Sequence, residues 1–485
     1  MSRSILLILC ALLACSAGAM TVTTESGLIE GPEEAGLLVF KGIPYAAPPI
    51  GPLRWRPPQP APSWTGTRRA DHYSPACPQT TAYPPDEPVE ATSEDCLTLN
   101  IWRPAATAGT PLPVMVWIHG GGLVGGAGSL PVYRGDEWAR RGVLLVTINY
   151  RLGVLGFLSH PDLSRESPDH ASGNYGLLDQ IAALAWVQRN IAAFGGDPAR
   201  VTVGGQSAGS NAISVLAASP LAKGLFHQIV GQSGGMFEPM EAAADFSLQG
   251  AEQAGRDFSG GASIDALRAK PVDDLIGLPF DPHPIIDGYV LPASPYDAYR
   301  QGHGNGDALL LGYDEGDGLP FIAGRSIGAA NLREELSRDF PSLLVRLLGP
   351  APPATDAEAH LAAAGFERDM RFRWDMWAWA RLAARSNRQR VFLYRFAIGD
   401  AAHGDELAYV FGHAGDGLLL RDWTGFVAQG SPDPAWPQFS ETRPLLMNFG
   451  EQAGPGPMPD EQPLHRIDRL YGFAHFLMRS WHRLF

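Results

Sequence analysis

Short β-rich runs and helical patterns alternate through the middle of this chain, and that alternation limits the fold more than any other feature of it. The runs "LPVMVWIHG" (112–120), "GVLLVTINY" (142–150), "RVTVGG" (200–205), "FHQIVGQSG" (226–234), "ALLLGY" (308–313) and "RVFLYRFAI" (390–398) read as strands. Between them lie the helical "GLLDQIAALAWVQRNIAAF" (176–194) and a helix expected from about Ala208. Strands that alternate with helices predict an α/β fold with a central, mostly parallel sheet flanked by helices. Residues 316 to 385, which contain "FERDMRFRWDMWAWARLAARS", are expected to form inserted helices that cap the sheet and shape a pocket. Residues 45 to 95 carry many prolines and few apolar runs, so they read as an ordered loop region.

The chain has 485 residues, 45% of them hydrophobic and 18% charged, which is enough apolar material for a large core. Its formal net charge of −14 repels nucleic acid and anionic lipid, so neither is an expected partner. The N-terminus, "MSRSILLILCALLACSAGAM", has one arginine, a short apolar core and the small-residue site Ala17-Gly18-Ala19. It reads as a secretory signal peptide over residues 1–19, cleaved near Ala19, with export to the periplasm or the exterior. An alternative takes Leu12-Leu13-Ala14-Cys15 as a lipoprotein site, which would leave a lipid anchor on Cys15. Residues 20–485 are then a single domain, and no other stretch is apolar for long enough to span a membrane.

Four cysteines are present, two of them (Cys10 and Cys15) in the leader. Cys77 and Cys96 remain, and an oxidising compartment predicts a disulfide between them that pins the loop region. Nothing in their spacing suggests zinc, and no metal or organic cofactor is expected.

The stretch "GGQSAGS" (204–210) sits where a strand gives way to a helix. In the pattern Gly205-Gln206-Ser207-Ala208-Gly209 the serine is forced into a strained turn that exposes its hydroxyl above the sheet. Backbone N–H groups at the start of the following helix would stabilise an anion formed there. Five residues of glycine and serine are a weak signal alone; the strand before and the helix after give it weight. A nucleophilic serine needs a base, and the base needs an orienting acid. Three strands end in suitable groups: "VMVWI" runs into His119-Gly120-Gly121-Gly122, "ALLLGY" into Asp314-Glu315-Gly316, and "RVFLYRFAI" into a loop that holds His403. The order serine, acid, histidine is that of the α/β-hydrolase arrangement. Spacing does not choose the acid among Asp287, Asp314, Glu315 and Asp317. His119 reads as shaping the glycine turn, and His227, His283, His303 and His413 fit the base role less well.

Several longer motifs occur together: "FKGIPYAAPPIGPLRW", "SEDCLTLNIW", "VWIHGGG", "NYRLGVLGF", "GNYGLLDQIAALAWVQRNIAAFGGDP", "VTVGGQSAG" and "AAHGDELAYVFG". With them the chain resembles the type-B carboxylesterase/cholinesterase family from about residue 27 to residue 439. The resemblance implies an α/β-hydrolase fold and a carboxylic ester hydrolase. It places the catalytic serine on Ser207, the acid on Glu315 and the base on His403. It places the oxyanion hole on the N–H groups of Gly121, Gly122 and Ala208, and the first family disulfide on Cys77 and Cys96. Gln206 stands where the family usually has glutamate. No tryptophan lies between Cys77 and Cys96 to serve as a choline-binding ring, so a true cholinesterase is not expected.

The expected function is therefore that of an exported serine esterase acting on a small-molecule ester through an acyl-enzyme. Two alternatives keep the fold: the same triad acting on amides, lactones or thioesters, and a non-catalytic binding module. Tyr83, Phe237, Phe321 and Trp374 are aromatic candidates for a substrate pocket. Oligomeric state and natural substrate are not legible in the sequence.

Overall fold

A computed structural model describes residues 18–80, 89, 91–106, 109–386 and 388–482. Thirteen strands form one sheet: β1 (Ala19–Thr24), β2 (Gly27–Glu34), β3 (Leu37–Pro44), β4 (Thr67–Arg69), β5 (Thr98–Pro104), β6 (Leu112–Ile118), β7 (Leu144–Ile148), β8 (Gly196–Gln206), β9 (Gln228–Gln232), β10 (Ala308–Asp314), β11 (Arg390–Phe396), β12 (Leu445–Phe449) and β13 (Gly454–Pro457). Their order is β1-β2-β3-β5-β7-β6-β8-β9-β10-β11-β12-β13, with β4 beside β2. The seven strands from β7 to β12 pair in parallel, and the flanking strands pair antiparallel except β4, which runs parallel to β2. This is the mostly parallel sheet expected of the alternating pattern.

The central strands are buried along their length because helices cover both faces. β7 and β10 have every residue buried, and so does β6 after Leu112. The helix Tyr175–Asn190 lies where the sequence put one, and its last turn tightens into a 3-10 segment, Ile191–Phe194. From Leu319 to Arg385 the chain is mostly helical, ending in Asp356–Arg368, a π-helical turn at Asp369–Arg373, and Trp374–Arg385. The antiparallel edge strands were not foreseen. β2, "GLIEGPEE", is half-exposed and lacks a continuous apolar run, whereas β3 and β5, further in, are mostly buried.

Two crosslinks fix the loops around the parallel core. Cys77 and Cys96 form a disulfide with Cα atoms 5.1 Å apart, both sulfurs buried, across a separation of 19 residues. Closing a loop of that size removes chain entropy from the unfolded state. Replacing both cysteines by alanine should therefore cost about 3 kcal/mol in denaturant unfolding. Arg151, just past β7, meets Asp179 through two side-chain hydrogen bonds of 2.7 Å, and its backbone N–H donates to the same carboxylate at 3.1 Å. Both side chains are buried. Asp179→Asn leaves the guanidinium buried beside a neutral partner, a loss expected to cost about 3–5 kcal/mol of stability and measurable by thermal or urea melting.

Among the described residues no helix is long and apolar enough to cross a membrane. Residues 1–17, and with them most of the expected signal peptide and the candidate anchor Cys15, lie outside the described residues. Tyr83 does too.

Candidate active site

β8 ends at Gln206, and the helix Ala208–Ala218 begins two residues later. Ser207 between them has φ 55° and ψ −127°, a conformation that costs a non-glycine residue of the order of 1–3 kcal/mol and persists only where surrounding contacts enforce it. Those contacts are visible. A Cβ on Gly205 would lie 2.6 Å from the Ile118 carbonyl oxygen, and one on Gly209 would collide with the same atom. The strand-to-helix turn is thus pressed against the end of β6, which only glycine at both flanks permits. Ser207 itself is half-buried, so its hydroxyl is reachable.

The end of β6 continues into His119-Gly120-Gly121-Gly122. Gly120 abuts Ser207, since a Cβ there would lie 3.2 Å from the serine Cβ. Gly121 and Gly122 have φ of 103° and 61°, the left-handed region that suits glycine. Among the described residues the amides of Gly121, Gly122 and Ala208 donate to no protein acceptor. His119 is buried, bonds through Nδ1 to the Gly120 carbonyl at 2.8 Å, and stacks on Tyr150 with ring centroids 4.5 Å apart. Burial pushes its imidazole down to about 4, so it stays neutral and shapes the turn.

His403 lies in the loop between β11 and the helix Glu406–Val410. Its Nδ1 is 2.6 Å from Asp317 Oδ1. Because a carboxylate only accepts, that nitrogen carries the proton, and Nε2 presents its lone pair. The side-chain nitrogen of Gln206 lies 3.2 Å from Nε2, so the amide donates to it. This contact brings the lone pair to the residue adjoining Ser207. Phe372 stacks on the imidazole at 4.4 Å, and Phe321 meets it edge-on at 6.2 Å. Both come from the helical cap.

Glu315, the position the resemblance gives to the acid, does not touch His403. Arg368 takes one of its oxygens and Arg395 the other, the latter at 2.6 Å. The reason is local. Side chains alternate at the end of β10, so Glu315 turns to the face opposite Asp314. The Gly316 turn then brings Asp317 back, where the Asp314 N–H donates to its Oδ2 at 2.9 Å. Asp317 is fully buried, whereas the Glu315 side chain is 37% exposed. The acid in contact with the histidine is therefore Asp317, two residues further on. Asp287 accepts from the N–H groups of Tyr289 and Leu291 and from Asn174, and so closes a turn elsewhere. Of the aromatic candidates among the described residues, only Phe321 reaches the site. Phe237 packs on Trp379 at 5.5 Å and Trp374 on Tyr471 at 4.8 Å, both in the core.

Sequence reasoning missed Phe372, the Gln206 contact and the buried carboxyl of Glu406. Glu406 stands three residues after His403 in "HGDEL", and only the fold shows that it points inward.

A serine on a strained strand-to-helix turn, with a histidine delivered from a later strand end of a mostly parallel sheet, defines an α/β-hydrolase. The sequence model of the carboxylesterase family matches residues 18–462. A fumonisin B1 esterase from Sphingopyxis macrogoltabida is 37% identical over 480 residues, covering 89% of this chain and 87% of the relative. The para-nitrobenzyl esterase of Bacillus subtilis is 35% identical, covering 88% and 94%. A solved structure of a PNB esterase aligns with a TM-score of 0.80 at 31% identity, over 92% of this chain and 99% of that one. The chain belongs to the carboxylesterase family, and it is a carboxylic ester hydrolase.

Proposed function

We propose that Ser207, His403 and Asp317 hydrolyse esters through an acyl-enzyme. The observation that carries this reading is the Asp317–His403 bond of 2.6 Å, which turns the Nε2 lone pair toward the strained serine turn. His403 Nε2 takes the Ser207 proton, with Gln206 moving aside, and Ser207 Oγ attacks the ester carbonyl. The oxyanion is met by the amides of Gly121, Gly122 and Ala208. His403 then returns the proton to the departing alcohol, and water repeats the sequence on the acyl-enzyme. Asp317 holds the imidazole in its tautomer and stabilises the cation that forms. The aromatic faces of Phe321 and Phe372 favour an apolar portion of the substrate beside the histidine.

Two relatives are named as a fumonisin B1 esterase and a para-nitrobenzyl esterase, which supports an ester substrate. Export by cleavage near Ala19 is part of the proposal, with a lipid anchor on Cys15 as its alternative. A matched set of p-nitrophenyl esters, p-nitroanilides and a simple lactone tests the substrate class. Turnover of short-chain p-nitrophenyl esters well above the anilides is the expected result; anilide or lactone turnover exceeding that of the esters would overturn the ester assignment.

A further inference from the structure

Two more carboxyls lie beside the Asp317–His403 pair. Asp314, the last residue of β10, and Glu406, the first residue of the helix Glu406–Val410, are both fully buried, and their carboxyl groups are neighbours. One oxygen of each has a donor. Asp314 Oδ2 accepts from the Gly404 N–H at 3.1 Å, and Glu406 Oε1 accepts from Gln232 Nε2 at 2.8 Å. Gln232 is itself fixed, because its Oε1 accepts from Trp423 Nε1 at 3.0 Å. The remaining oxygens, Asp314 Oδ1 and Glu406 Oε2, meet no donor.

Ionised carboxylates only accept, so two of them in contact here would leave two buried oxygens unsatisfied and two like charges side by side. One proton removes both penalties. The titratable groups that face the pair are Asp317, His403 and Tyr394. None of them donates to the two orphan oxygens. Burial, reinforced by the neighbouring acid, pushes the Asp314 carboxyl well above the usual carboxylate range, and burial raises Glu406 in the same direction.

We propose that Asp314 and Glu406 hold a single proton between them and act as a positioning unit with one negative charge beside His403. The catalytic consequence rests on the triad reading given above. Through Gly404 the pair anchors the residue that follows the histidine, and through the Asp314 N–H it anchors the carboxylate that orients it. Its charge adds to that of Asp317 in stabilising the imidazolium.

The test uses amide variants, which keep shape and change charge. In Glu406→Gln the amide N–H takes the place of the shared proton and Asp314 ionises, so the pair still carries one negative charge. That variant should keep kcat/KM within about threefold of the parent, with the midpoint of the acid limb of its pH profile unmoved. Asp314→Asn/Glu406→Gln removes the charge, and the midpoint should move down by about one pH unit as the imidazolium loses support. The proton is read directly by infrared difference spectroscopy in a Ser207→Ala background. A carboxylic-acid carbonyl band that shifts in D2O should be present there and lost on adding Glu406→Gln. An unchanged band would overturn the proposal, as would a Glu406→Gln midpoint displaced as far as that of the double variant. The infrared comparison needs no turnover, so an inactive parent would defeat the triad reading while leaving the proton count readable. If the double variant does not fold, the band alone decides.

Discussion

Ser207→Ala should lower kcat by about 10⁶-fold while leaving the fold intact, because the alanine removes one oxygen and no packing. Among the described residues the hydroxyl makes no bond that holds the turn together. The serine backbone does that, with its N–H donating to the Gln232 carbonyl at 2.9 Å and its carbonyl accepting from the Asn211 N–H at 2.9 Å. Residual hydrolysis above the rate in water would come from the amides of Gly121, Gly122 and Ala208, which remain in place. Steady-state turnover of a p-nitrophenyl ester beside a melting curve checks both halves. A variant that melts like the parent and keeps more than a few percent of its rate would show that another group attacks the carbonyl.

The second large effect separates two acidic residues that stand two positions apart. Asp317→Asn should cost about 10⁴-fold in kcat, since an asparagine can donate to Nδ1 and so favours the tautomer that carries its proton on Nε2, where the serine proton must go. Glu315→Gln should change kcat by no more than about threefold, because Glu315 serves Arg368 and Arg395 and does not touch the imidazole. Its cost belongs to local stability. Burial works against the Arg368 cation, and Asp369 and Glu315 together more than offset it. A large loss in Glu315→Gln with a small one in Asp317→Asn would return the acid to the position given by the resemblance.

The parallel core and the serine turn were legible in the sequence for a shared physical reason. Strands buried on both faces must be apolar throughout, so "VMVWI" and "ALLLGY" declare themselves. A serine at positive φ between two tightly packed chain segments demands small neighbours, so Gly205 and Gly209 mark it. Edge strands obey neither demand. β13, with the sequence "GPGP", pairs through its backbone and carries almost no side-chain signal. The acid was not legible because Asp314, Glu315 and Asp317 share one strand end, and their spacing does not say which side chain the Gly316 turn sends back toward His403. Family resemblance chose Glu315; the arginines at 368 and 395, brought in by the cap and by β11, claim it instead. Phe372 was invisible for a related reason. Its place on the imidazole depends on how the cap docks, which no local pattern encodes.

The most direct measurement is covalent labelling of the active serine. Treating the folded protein with an alkyl fluorophosphonate and mapping the adduct by mass spectrometry reads nucleophile, base and oxyanion site together. The account predicts one phosphonyl group per chain on Ser207, much slower labelling in Asp317→Asn, parent-like labelling in Glu315→Gln, and none after heat denaturation. Labelling on another residue, or none on the folded parent, would contradict it.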